Sequence, residues 1–127
     1  MPLSSPPARR KRILVVEDEP RSGEILARLL RERYDVEVRG DGIAALAAID
    51  AKPPDLLITD VTMPRMDGYT LAREVHGRRP GLPIIFVTAR DKPIDVVEGI
   101  NAGARHYLTK PVQIAELEAK VRRALGE

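Results

Sequence analysis

Cysteine is absent from the 127-residue chain, which excludes disulfides, thiolate metal sites and cysteine catalysis and is compatible with a cytoplasmic location. Long apolar runs are missing too. Nothing approaches membrane-spanning length, and the N-terminus has no apolar signal-peptide core, so neither membrane insertion nor secretion is expected. Nor is there a large excess of one charge. The net charge is +2, and four of the 21 basic residues are the run Arg9, Arg10, Lys11 and Arg12; without them 19 acids outnumber 17 bases, so the basicity is local. The run follows a Pro/Ser-rich start, and residues 1–10 are expected to be a flexible basic tail leading into one domain over 11–127. A tail without aromatic residues is a weak nucleic-acid signal and reads as a solubilising lead-in; direct nucleic-acid binding by the domain is not expected. What is present, 43% hydrophobic and 31% charged residues, suits one soluble globular domain with a real core.

The most informative stretch is Asp55 to Gly68. Leu56, Leu57 and Ile58, bounded by Pro53-Pro54, form a continuous apolar run of the kind buried on both faces of a parallel sheet. Pro64 and Asp67-Gly68 cannot extend it, so Asp60 is expected at the carboxyl end of a central strand, where open α/β sheets place their ligands. Similar runs recur. Ile13 to Val16 stops at Glu17-Asp18-Glu19-Pro20, Pro83 to Thr88 ends in a hydroxyl, and Arg105 to Thr109 stops at Lys110-Pro111. Tyr34, Val36 and Val38 alternate with charged residues, the pattern of a half-exposed edge strand.

Helices are expected between the strands. Ile25, Leu26, Leu29 and Leu30 recur at helical spacing from Pro20 through Arg33; Ile43 to Ala51 is alanine-rich; Leu71, Ala72 and Val75 mark a third helix. Lys92 to Ala102 carries Ile94, Val97 and Ile100, and the last helix places Ile114, Leu117, Val121, Ala124 and Leu125 on one stripe. Strict alternation of five strands and five helices gives an α/β sandwich with right-handed crossovers. With the second strand at an edge, the fold class is a flavodoxin-like (βα)5 sandwich, a five-stranded parallel sheet in order 2-1-3-4-5 with helices on both faces. Ile13, Val15, Leu57, Ile58, Ile85 and Val87 are expected at the centre of the core.

All parallel strands end at one rim, so Glu17, Asp18, Asp60, Thr88 and Lys110 are expected to converge there. Crowded acids call for a positive partner, and an oxygen-only ligand set favours a hard cation such as Mg²⁺. That ion takes one or two protein carboxylates plus waters and phosphate oxygens, which makes phosphate chemistry the natural use. An aspartate can attack phosphorus, and the charge spread over a transferring phosphoryl group suits a metal, a lysine and a hydroxyl placed around it.

Glu17-Asp18, Asp60 with Met63-Pro64 and Asp67-Gly68, Thr88-Ala89, and Tyr107-Leu108-Thr109-Lys110-Pro111 together resemble the receiver domain of two-component response regulators, of the chemotaxis-regulator type. The resemblance spans Lys11 to Leu125. It implies that Asp60 is the phosphoacceptor and that Glu17, Asp18, Asp60 and the backbone carbonyl of Thr62 hold Mg²⁺. Lys110 and Thr88 would contact phosphoryl oxygens, Tyr107 would be the aromatic switch, and the Lys110-Pro111 peptide would be cis. It also implies a phosphorelay signalling domain that catalyses only its own phosphorylation and dephosphorylation. Its partners would be a sensor histidine kinase or phosphotransfer protein and an output partner or domain on the face of the fourth helix, fifth strand and fifth helix. A phosphorylation-dependent homodimer is the further partner considered.

Two features depart from the family pattern. Receivers that dimerise through that face, notably those attached to winged-helix DNA-binding domains, carry acidic residues where this chain has Arg105-His106, which puts the charge pairing of such a dimer in doubt. The chain also ends after its last helix, as either a single-domain regulator or a receiver from a longer protein. His76 and His106 are read as surface residues without a phosphodonor role. The competing enzyme reading is a Mg²⁺-dependent aspartyl-phosphate phosphatase of the haloacid-dehalogenase type. Such enzymes place the nucleophile after the first strand with a second aspartate two residues on, and neither Asp18 nor Asp60 has one at that offset. A flavin-binding module would need a hydroxyl- and glycine-rich turn where this chain has Glu17-Asp18-Glu19-Pro20, and acids there repel phosphate unless metal is present.

Overall fold

Each continuous apolar run becomes a strand of one parallel sheet. The computed structural model describes residues 10–127, so the expected tail lies outside the described residues except for Arg10. The elements are β1 (Arg12–Val16), α1 (Pro20–Leu30), β2 (Asp35–Arg39), α2 (Gly42–Ala51), β3 (Leu56–Thr59), α3 (Gly68–Arg78), β4 (Ile84–Thr88), α4 (Pro93–Asn101), β5 (His106–Thr109) and α5 (Ile114–Ala124). The strand order is β2-β1-β3-β4-β5, all pairs parallel, as the flavodoxin-like reading requires. Among the described residues no helix is long and apolar enough to cross a membrane.

Strand side chains alternate between two cores. Ile13, Val15, Ile58, Ile85 and Val87 face Leu26 and Leu30 of α1 and Leu117 and Val121 of α5. Leu14, Val16, Leu57, Ile84 and Phe86 face Ala45 and Ile49 of α2 and Leu71 and Val75 of α3. The six residues expected at the centre are all buried. Because both faces are covered, the central strands read as unbroken apolar runs, whereas β2 at its edge alternates.

Three expectations change. α1 ends at Leu30 rather than continuing through Arg33, and in the turn that follows it the Arg10 guanidinium donates to the carbonyls of Arg31, Arg33 and Tyr34 at 2.5, 3.2 and 3.1 Å. Arg10 is therefore part of the folded domain and not of a free tail. Ile94, Val97 and Ile100 do not face the sheet: all three are exposed, and Gly99 is the buried residue of α4. Ile114 is exposed too, so the buried stripe of α5 is Leu117, Val121 and Ala124.

Candidate functional site

Register brings the site together. Val16 pairs with Thr59, so the residues that follow, Glu17 and Asp60, leave the sheet side by side, and Asp60 N–H donates to the Val16 carbonyl at 3.1 Å. Thr88 pairs with Thr109, so Lys110 leaves beside Thr88 and its N–H donates to the Thr88 carbonyl at 2.8 Å. The Lys110-Pro111 peptide is cis, as the resemblance implies. Glu17, Asp60 and Thr88 are buried polar residues at this rim, and Asp18 is exposed beside them.

Lys110 is the hub. Its ammonium donates to Asp60 Oδ2 at 3.0 Å and to Glu17 Oε1 at 3.2 Å. The other Asp60 oxygen, Oδ1, accepts from the backbone N–H groups of Val61 at 2.6 Å and Thr62 at 3.3 Å. Burial alone would raise the Asp60 pKa, but hydrogen bonds from Glu17, Thr88 and Lys110 outweigh it and hold the carboxyl below its usual value. Glu17 moves the other way. Burial, and then the hydrogen bond to Asp60 and its charge, push Glu17 up to about 7 against the pull of Lys110. Burial opposes the Lys110 charge, but Asp60 and Glu17 more than restore it, and its pKa rises. One ammonium thus supports one carboxylate fully and a second only in part, and a further cation would relieve the remainder.

Among the described residues no group of three or more His, Cys, Asp or Glu side chains is gathered closely enough to enclose a metal ion. The donors at the rim are all oxygens, two buried carboxylates with one exposed carboxylate next to them. That set fits a hard cation that keeps most of its waters, which is the habit of Mg²⁺, and does not fit a closed cage.

Thr88 is buried at the rim, and its hydroxyl is among the groups that lower the Asp60 pKa. Tyr107 is half-buried. Its hydroxyl donates to the Arg90 carbonyl at 3.1 Å, its ring lies 5.8 Å from that of Phe86, and burial together with the nearby Tyr69 raises its pKa. His76 is exposed, and His106 is partly buried on β5.

Two contributors, Thr59 and Arg90, were invisible in the sequence, and Gly68 does more than the turn chemistry the sequence marks. Thr59 donates its hydroxyl to the Asp60 carbonyl at 2.9 Å from a fully buried position. Gly68 packs against the Asp60 backbone so tightly that a β-carbon there would drive into the Asp60 carbonyl oxygen. Arg90 ties the rim together: its Nε donates to Thr62 Oγ1 at 3.1 Å, its guanidinium reaches Asp95 at 3.4 Å, and its N–H meets Thr88 Oγ1 at 3.4 Å. No spacing signal marks Arg90, although its place two residues after Thr88 put it within reach.

A family model described as the response regulator receiver domain matches residues 13–122. Response regulator MprA of Mycobacterium tuberculosis is 44% identical over 115 residues, which cover 90% of this chain and 50% of that protein. The DNA-binding response regulator MtrA of Mycolicibacterium smegmatis is 42% identical over 117 residues, covering 91% and 51%. The chain spans about half the length of these curated relatives. Among solved structures, a CheY-like response regulator receiver domain protein from Methanospirillum hungatei superposes with a TM-score of 0.86 at 33% identity, covering 91% of this chain and 94% of that one. A match of that extent, on a sheet of that order, makes the chain a member of the response regulator receiver domain family.

Proposed function

We propose that Asp60 accepts a phosphoryl group from a sensor histidine kinase, a phosphotransfer protein or a small phosphodonor, in a Mg²⁺-dependent step of a two-component phosphorelay. Phosphorylation then switches the face formed by α4, β5 and α5 for an output partner or output domain. The observation that carries this reading is the Lys110 ammonium held 3.0 Å from a buried strand-end aspartate whose carboxyl is kept ionised.

In the reaction a carboxylate oxygen of Asp60 forms the new bond to phosphorus while the bond to the donor's leaving group breaks and that group departs with the electron pair. The N–H groups of Val61 and Thr62 orient the carboxylate, so little reorganisation is needed at the moment of attack. Lys110 stands where it can follow charge from the carboxylate onto a phosphoryl oxygen, and the Thr88 hydroxyl can donate to another. Glu17, Asp18, Asp60 and the Thr62 carbonyl would hold Mg²⁺, which supplies neutralisation of the phosphoryl charge.

Incubation with acetyl phosphate and Mg²⁺ is expected to add one phosphoryl mass to the wild-type chain and none to Asp60→Asn. EDTA or Asp18→Ala should remove nearly all labelling with the fold intact. Full labelling of the Asn variant would sink the assignment of Asp60, and normal labelling of Asp18→Ala in EDTA would sink the metal requirement. Thr88→Ala should still label but lose most of the coupled change at Tyr107, because it removes one charge-assisted hydrogen bond of about 1.5–3 kcal/mol, enough for roughly a tenfold population shift.

A further inference from the structure

α4 is held to the domain by polar contacts more than by burial. Its one buried residue is Gly99, which has no side chain to pack, while Ile94, Val97 and Ile100 are exposed. A helix that buries so little apolar area takes little stability from packing. Side-chain ties supply the rest. On α3, the Tyr69 hydroxyl donates to the Asp95 carbonyl at 2.9 Å and Arg73 pairs with Glu98 at 3.0 Å. From the loop before α4, the Arg90 guanidinium pairs with the Asp95 carboxylate at 3.4 Å.

Among these ties the one from Arg90 also touches the rim around Asp60. Arg90 Nε donates to Thr62 Oγ1 at 3.1 Å, and the N–H of the same Thr62 donates to Asp60 Oδ1 at 3.3 Å. One guanidinium therefore spans from the neighbour of Asp60 to the first turn of α4. Its hold on Asp95 is loose, long for a charge-assisted hydrogen bond and made by a side chain that is 47% exposed. Asp95 does not depend on it, because its carboxylate also accepts from the Lys92 N–H at 3.3 Å. A phosphoryl group on Asp60 would offer new negative charge and acceptor oxygens beside Thr62, and guanidinium binds such oxygens in a two-pronged geometry that a single carboxylate contact at 3.4 Å does not match.

We propose that Arg90 is a second link between the site and α4: a phosphoryl group on Asp60 draws the Arg90 guanidinium away from Asp95 and loosens the first turn of α4, alongside the route through Thr88 and Tyr107. The inference rests on the reading of Asp60 as the phosphoacceptor and adds a side chain that carries the change outward. A fixed tie without a switching role is the competing account. It predicts that Arg90 keeps Asp95 whatever is bound to Asp60.

The test uses the whole chain with Mg²⁺, with and without beryllofluoride, a phosphoryl mimic whose binding is followed by fluorine NMR. Amide hydrogen exchange over residues 93–101 reads α4, and the Arg90 Nε–H resonance reads the guanidinium. Measurements are made in wild type and in a Thr88→Ala background, which silences the other route. Beryllofluoride is expected to shift the Arg90 resonance in both and to speed exchange in the first turn of α4 about two- to fivefold in the Thr88→Ala background, the worth of one exposed ion pair. Asp95→Asn, which can still accept from the Lys92 N–H, and Arg90→Met should each show that faster exchange before beryllofluoride is added and gain no more from it. The double variant Arg90→Glu with Asp95→Arg turns an acid toward the phosphoryl group, so beryllofluoride should not release its α4. An Arg90 resonance unmoved by bound beryllofluoride, resting exchange in Asp95→Asn and Arg90→Met equal to that of their parent, or a double variant that releases α4 as fully as its parent would overturn the link while leaving the assignment of Asp60 standing. Failure of wild type to bind beryllofluoride at all would overturn both.

Discussion

Gly99 of α4 and Tyr107 of β5 meet where no β-carbon fits: one built on Gly99 would stand 2.8 Å from Cδ2 of the Tyr107 ring and 3.1 Å from the Phe86 ring. Alanine at this position sets two effects against each other. Helix propensity gains about 0.8–1 kcal/mol, and overpacking of a filled core costs about 1–3 kcal/mol. Gly99→Ala is expected to lose up to about 2 kcal/mol in urea unfolding and to rotate the Tyr107 ring off the Arg90 carbonyl. Fluorotyrosine NMR would show the ring's move, and an unchanged Tyr107 resonance in a variant of wild-type stability would show that the pocket yields instead.

Gly68 faces a harder obstacle, because what a β-carbon meets there is backbone, the Asp60 carbonyl and the Val61 Cα, and not the end of a side chain. Its N–H also donates to the Val61 carbonyl at 2.7 Å, which fixes the loop that carries Asp60. Gly68→Ala is expected to cost about 3 kcal/mol or more and to slow acetyl phosphate labelling at least about tenfold. Thermal melts and labelling rates read both; a variant that melts and labels like wild type would mean that the loop has a second arrangement equally good for Asp60.

Removing Lys110 and removing Asp60 should have opposite consequences in EDTA. Lys110→Ala leaves Glu17 and Asp60 crowded with no ammonium between them and is expected to cost about 1–3 kcal/mol, a loss partly recovered on adding Mg²⁺. Asp60→Asn removes one of the crowded carboxylates and keeps the Lys110–Glu17 pair, so it should be no less stable than wild type. Calorimetry on the three proteins decides the point, and an Asp60→Asn variant less stable than Lys110→Ala would contradict it.

His106 should make the protein sensitive to mild acid. Burial, Lys120, Arg123 and Arg105 all lower its pKa below the ordinary 6.5, so the folded state favours the neutral ring while the unfolded chain takes up the proton. Its contribution is present above pH 6.5 and is lost as pH falls through 6.5 toward the lower folded-state value. Glu17, raised to about 7, works in the other direction, its contribution fading as pH rises, so the informative quantity is the difference between variants. The urea midpoint of wild type relative to His106→Gln is expected to drop between about pH 7.5 and 5.5, and parallel profiles would show that the ring titrates freely.

Much of this protein could be read from its residues in order. Unbroken apolar runs at Ile13–Val16, Leu56–Ile58 and Ile84–Val87 determined the central strands, the alternation through Val36 and Val38 determined the edge, and the polar residue ending each run determined the rim where Glu17, Asp60, Thr88 and Lys110 meet. These are local signals, because burial on two faces leaves a strand no polar position and parallel strands end together. What only the tertiary structure decided depends on which surfaces a helix finds. Ile94, Val97 and Ile100 have the spacing of a core stripe, yet Gly99 takes the inner side of α4 because the Tyr107 and Phe86 rings leave room there for nothing larger. Arg10 reaches the carbonyls of Arg31, Arg33 and Tyr34 beyond the end of α1, and Arg90 reaches Thr62 on another loop as well as its sequence neighbours Thr88 and Asp95. No periodicity encodes such contacts, because a long flexible side chain is placed by whichever acceptors the folded backbone brings within its reach.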